Sequence, residues 1–161
     1  MPSRPFPMIF RTAAQKADLS WSWHRGDRAF FASGACHVLA YHFLQSAQGR
    51  GFRPMMIVPD RGFRGGHVIA TDGTLAFDYH GFSSHPRFIV RYWRKIRAYF
   101  PGWRGSLVDL SGEFWTEAWF SRYQYRQPHQ FLADPTERAL RFIRQIGQPP
   151  SIADRNRGAF L

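Results

Sequence analysis

Apolar residues recur at helical spacing from Cys36 to Ala47. Cys36, Leu39, Ala40, Phe43, Leu44 and Ala47 fall on one 3.6-residue stripe. Ser33 offers a side-chain cap, and Gly49 and Gly51 stop the pattern. A second stripe, made of Ile89, Tyr92, Trp93, Ile96, Tyr99 and Phe100, runs through HPRFIVRYWRKIRAYF. Arg87, Arg91, Arg94 and Lys95 lie largely opposite it, and Pro101-Gly102 ends the helix. A third helix is punctuated at both ends: Asp134, Pro135 and Glu137 form a capping-box start, Leu140, Ile143 and Ile146 face inward, and Gly147 ends it.

Period-two and short apolar runs mark the strands. PMMIV at 54–58 reads as a short buried strand, and 106–110 as another. GHVIAT and TLAFDY flank Asp72-Gly73, which predicts a two-residue hairpin. Ser111 is placed to cap a helix holding Trp115, Ala118 and Trp119. Pro2, Pro5 and Pro7 argue against early regular structure. Residues 1–32 read as irregular, with a short helix at 9–18. No repeat or boundary divides the chain, so 1–161 reads as one α+β domain. Its core is 33–81, its helical part 85–147, and 148–161 a loose tail.

Composition narrows the class. The 161 residues are 44% apolar and 17% aromatic, enough to build a core and too aromatic for a disordered chain. No run is long enough for a membrane span. One cysteine excludes an internal disulfide framework. MPSRPFPMIFRTAAQ has no apolar signal core, which argues against Sec export and for the cytoplasm, or for delivery by another route. The formal charge is +11, with Lys16 and Lys95 the only lysines among 22 basic residues. Such a surface attracts nucleic acid, anionic lipid or acidic protein.

Three residues can carry chemistry together. A Cys36 in the first helical turn faces free N–H groups and the positive end of the helix dipole, which favour a thiolate. With Asp72-Gly73 as the turn, His67 falls opposite Asp78. Directly opposed residues share a face with Cβ atoms about 4.5–5.5 Å apart. Ile69 and Ala76 on that face leave room for a helix, and the Cys36 helix is the expected occupant. Cys36 then acts as nucleophile, His67 as base and Asp78 as the group that orients the imidazole.

GACHVLA resembles the Gly-x-Cys-x-x-x-Ala start of the central helix in papain-like enzymes, and GGHVIATDGTLAFDYHG resembles their His strand, turn and Asp strand. The likeness covers residues 33–81 and is nearest the transglutaminase-like and bacterial papain-like branch, which includes protein deamidases and cell-wall peptidases. It implies an α+β papain-like fold: a Cys-bearing helix packed on a small antiparallel sheet, with further C-terminal helices. It also implies amide, ester or thioester chemistry on a protein or peptide substrate through a covalent acyl-enzyme, with no cofactor. Relatives often place a side-chain oxyanion donor, commonly Gln, before the Cys. No Gln lies between Lys16 and Cys36. That leaves the Cys36 N–H, with Trp23 and His24 as nearby side chains. Arg61 and Arg64, in the Gly-rich loop before His67, are placed to border a substrate cleft.

Two other uses of these residues stand beside this one. Cys36, His37, His67, Asp78 and His80 are zinc-ligand types, but no CxxC or HExxH spacing organises them, and His37 and His80 are expected to point away from Cys36 and Asp78. A noncatalytic basic module is the alternative function. It would bind nucleic acid or an acidic protein through Arg87, Arg91, Arg94 and Lys95, with Cys36 in the core.

Overall fold

The computed structural model describes residues 8–157, so the expectation for Pro2, Pro5 and Pro7 lies outside the described residues. Within them the chain is α+β, with eight α-helices and a five-stranded antiparallel sheet.

The N-terminal region is more regular than its sequence suggests. It forms α1 (Ala13–Ala17), α2 (Leu19–Trp23) and α3 (Asp27–Ala32) in place of one helix at 9–18. Local caps segment it. Thr12 and Gln15 form a capping box, and the Asp18 side chain accepts from Trp21 N–H (2.8 Å). Caps this close together stop any single helix from propagating.

Helix α4 (Cys36–Gln45) follows. Ser33 does not cap it. Ser33 instead ends α3, and its hydroxyl accepts from Arg25 (2.7 Å). Gly34 turns the chain at φ +107°, and Ala35 becomes the N-cap with no side-chain hydrogen bond. The first-turn N–H groups of α4 are therefore left without a side-chain cap. Beyond the expected stripe, His37 and Val38 are also buried, because α4 is covered on several sides at once.

The sheet has the order β4-β3-β2-β1-β5, from β1 (Arg53–Pro59), β2 (His67–Thr71), β3 (Leu75–Asp78), β4 (Gly81–Ser84) and β5 (Gly105–Asp109). The hairpin register differs from the expected one. Ala70 pairs with Phe77 and Thr71 with Ala76, so Asp72 closes the turn with Leu75 (3.3 Å). Gly73 and Thr74 are then the central residues. The Asp72 carboxylate explains the shift, since it accepts from Thr74 N–H (2.8 Å) and Leu75 N–H (2.7 Å) and leaves the positive φ to Gly73 alone. The pairing has slipped by two residues. A two-residue slip keeps every side chain on its face, so His67 and Asp78 remain neighbours, now diagonal ones.

The occupants of the two faces are corrected as well. Met56, Val68, Ala70 and Phe77 face α4, whose Phe43 stacks on Phe77 at 3.8 Å. The face with Ile57, Ile69 and Ala76 receives α5 (His85–Tyr99) through Phe88 and Ile96, with Trp103 beside them. The face expected to accept a helix does so, but the helix is α5. Within α5, Phe88 is buried and Tyr99 is half-exposed.

The C-terminal elements shift modestly. Helix α6 (Glu117–Tyr123) is capped by Thr116 rather than Ser111, and Trp115 sits outside it at φ 70°. Helix α7 (Thr136–Ile146) buries Ala139, Phe142 and Ile143, while Asp134 accepts from Thr136 N–H (2.9 Å). The described part of the tail, 148–157, is docked rather than loose: α8 (Ile152–Asn156) carries Arg155 to the Asp72 carboxylate at 2.7 Å.

Phe43 is fully buried at the helix–sheet contact. Phe43→Ala should cost about 3–5 kcal/mol, measured from the midpoint of urea unfolding.

Candidate active site

Cys36 opens α4 and His67 opens β2. Their elements pack against each other, yet the two side chains start on opposite sides of the sheet. They meet because each stands at the first residue of its element, where β2 begins. The His67 ring is held from the α5 side, parallel to Tyr92 at 5.8 Å and 6°. Its Nε2 donates to Asp78 Oδ2 at 3.0 Å, and both residues are buried. That bond leaves Nδ1 as the nitrogen available to the thiol.

Asp78 has further donors. The His80 N–H reaches Oδ1 at 2.8 Å, and His80 Nδ1 reaches the same oxygen at 3.1 Å. His80 therefore points toward Asp78, not away from it. Burial pushes this carboxylate up, but the bonds from His67 and His80 outweigh it and hold the group well below the ordinary carboxylate range.

The thiol and imidazole shift together. Burial pushes Cys36 up, while His37 and then His67 pull it further down, to about 5. Burial pushes His67 down, and Asp78 and Cys36 together raise it to about 10. We assign the pairing to His67 rather than His37. His37 Nε2 donates to the Arg126 carbonyl (2.7 Å) and its Nδ1 has no hydrogen-bond partner, whereas His67 is anchored by Asp78. Both shifts run in the direction that favours a thiolate beside an imidazolium.

These residues face an open cleft of about 1160 Å³. Cys36, His67, Tyr79 and Tyr92 line it, with Gly65, Gly66 and Tyr125. The loop before His67 is pinned to α5 and Trp103. Tyr92 donates to the Gly65 carbonyl, Trp103 Nε1 donates to the Arg64 carbonyl (2.7 Å), and a Cβ at Gly65 would lie 2.5 Å from Ile96.

Of the four residues expected to contact substrate, only Arg64 lines this cleft. Arg61 is exposed elsewhere in the loop. Trp23 packs edge-on to Phe30 and under Arg138, and His24 Nδ1 bonds back to the Ser20 carbonyl (2.8 Å). Neither supplies the oxyanion donor.

Tyr125 is the residue that sequence reasoning missed. Its hydroxyl would lie 3.5 Å from a Cβ on Gly66. It also neighbours the thiol: burial first, then the Cys36 charge, raises its pKa far above the ordinary value, so it stays a donor. No local motif marks it, because it sits 89 residues from Cys36 between α6 and α7. Among the described residues, no three His, Cys, Asp or Glu groups are arranged to hold a metal ion.

The shifts set an expected profile. Iodoacetamide alkylation of Cys36 should rise through pH 5 and stay high through neutrality. In His67→Ala, burial is opposed by less positive charge. The rise should move toward the alkaline side, and the rate at pH 6 should fall. Rates followed by intact mass across pH would check both.

Comparison with known proteins finds no matching family model, no matching curated protein and no matching solved structure.

Proposed function

We propose that the chain is a small papain-like cysteine enzyme that cleaves or transfers an acyl group at an amide, ester or thioester bond. The observation that carries this reading is the Cys36 thiol beside His67, both lining an open cleft, with the far nitrogen of His67 bonded to buried Asp78 behind them. Protease, deamidase and transglutaminase activities share this machinery, and a protein or peptide is the substrate class it suits. A lone reactive thiol fits the reducing cytoplasm. Among the described residues no helix is long and apolar enough to cross a membrane.

The thiolate attacks the carbonyl carbon and forms a C–S bond as the carbonyl electrons move onto oxygen. The Cys36 N–H at the uncapped start of α4 and the Tyr125 hydroxyl are the donors for that oxyanion. The bond to the leaving group then breaks, and the leaving group takes the proton of His67 Nδ1. Water, or an amine in a transfer reaction, loses a proton to the now neutral His67 and attacks the thioester. Collapse of the second tetrahedral intermediate releases the product and returns the thiolate, with the proton left on His67. Asp78 holds the ring in one tautomer and stabilises its charged form throughout.

A second reading rests on α5, where Arg87 and Arg94 are exposed. Together with Arg91 and Lys95 they form a face for an anionic partner. Reversing Arg87, Arg91 and Arg94 would abolish salt-dependent binding under that reading and leave acyl chemistry at Cys36 intact.

With p-nitrophenyl esters as acyl donors, wild type should form a hydroxylamine-labile adduct on Cys36, seen by intact mass. Cys36→Ala should abolish it and His67→Ala should slow it about 10²–10⁴-fold. Failure of wild type to acylate while Cys36 remains accessible to iodoacetamide would overturn the enzyme reading.

In Tyr125→Phe, kcat should fall about 10²–10³-fold with KM nearly unchanged. Steady-state kinetics on the same esters would check this.

A further inference from the structure

The cleft that Cys36 lines also gathers positive charge. Arg11 and Lys16 come from the N-terminal segment and α1, Arg64 from the loop before β2, and Arg126 from the segment after α6. Three separate stretches of chain thus bring four cations to one opening.

Among the described residues, none of the four has a carboxylate counterion. Ion pairs away from the cleft join Arg53 to Asp109, Arg104 to Asp60, Arg138 to Asp27, Arg155 to Asp72 and Arg157 to Asp154, and Arg122, which also lines the cleft, pairs with Glu113. Among the described residues, no carboxylate lies within ion-pair distance of Arg11, Lys16, Arg64 or Arg126. The one acid lining the cleft, Glu117, accepts instead from Gln127 (3.5 Å).

The cations are nonetheless held in place. Arg64 Nη2 donates to the Arg11 carbonyl (2.6 Å), and its guanidinium lies over Phe10. Arg126 Nη2 donates to the Lys16 carbonyl (2.7 Å), and its guanidinium lies over Phe131. Carbonyls and rings fix these groups without neutralising them. Arg11 lies against the backbone just ahead of Cys36: a Cβ at Gly34 would come within 2.6 Å of its Nη1. Burial and then the charge of Arg126 lower the Arg11 pKa, while Cys36 acts in the opposite direction. Like charges collected without a partner cost stability, and a bound anion relieves that cost.

We propose that Arg11, Lys16, Arg64 and Arg126 form an anion-binding subsite, and that the acyl donor carries a carboxylate or phosphate group held there. The identity of that donor rests on the enzyme reading of Cys36; the subsite itself does not. Guanidinium groups suit both anions through paired N–H donors. The subsite would place the anionic end of the substrate beside the thiolate and favour anionic over neutral acyl donors, which leave its cations unmatched.

Two reagents of nearly equal size separate charge from reactivity. Iodoacetate is anionic and iodoacetamide is neutral. In wild type, alkylation of Cys36 should favour iodoacetate over iodoacetamide, and the preference should shrink as salt is raised. In Arg11→Gln/Arg126→Gln the rate ratio should fall by about tenfold or more, the scale expected for charge focusing in a cleft. The iodoacetamide rate alone should change much less.

Inorganic phosphate and succinate, titrated by calorimetry, provide the second arm. Binding of either, lost in the double variant, supports the subsite, and the tighter of the two names the anion. A thiol inert to both reagents would remove the enzyme reading, and the calorimetric arm would still decide the subsite. No iodoacetate preference and no binding of either anion to wild type would overturn the proposal.

Discussion

A buried carboxylate sets the terms for the rest of this structure. Asp78 is 4% exposed at the end of β3, and an unpaired charge there would cost several kcal/mol. The chain meets that cost with His67 Nε2, His80 Nδ1 and the His80 N–H. Each donor has a consequence. The His67 bond fixes one tautomer and leaves Nδ1 for Cys36. The two His80 bonds hold the turn into β4. Stacking against Tyr92 and edge contact with Tyr79 then leave the His67 ring little freedom to rotate.

The site depends equally on where the sheet ends. Helices α4 and α5 cover opposite faces, and neither face alone holds both the thiol and the imidazole. At the first residues of α4 and β2 that division lapses. Gly34, at positive φ, allows the turn into α4, and the pinned loop at Gly65 delivers His67. The rigid sheet carries the chemistry on its rim, where a cleft can open without breaking the core.

Arginine has two distinct uses here. Arg138 lies 4.0 Å over Phe30, pairs with Asp27 and donates to the Arg25 carbonyl, which fastens the N-terminal helices to α7. Arg25 braces Ser33 ahead of Cys36. These charges are structural. Arg11, Arg64 and Arg126 at the cleft are not neutralised by any carboxylate among the described residues. A net charge read from composition averages the two kinds together.

Local information was enough for much of this. The stripe from Cys36, the strand at 54–58 and the two runs around Asp72 are visible because hydrophobic period follows backbone geometry. The shared face of His67 and Asp78 was legible even though the register was not. Side-chain direction repeats every two residues, so a slip of two preserved it. The slip came from the Asp72 side chain capturing two N–H groups, a choice between turns that strand pattern does not encode. Ser33 looked like a cap but serves α3 instead, because Gly34 lets the chain turn after it. Which helix covers which face, the approach of Tyr125 and the convergence of four cations were decided only by tertiary structure. Each joins residues far apart in the chain, and sequence periodicity carries no record of distant contacts.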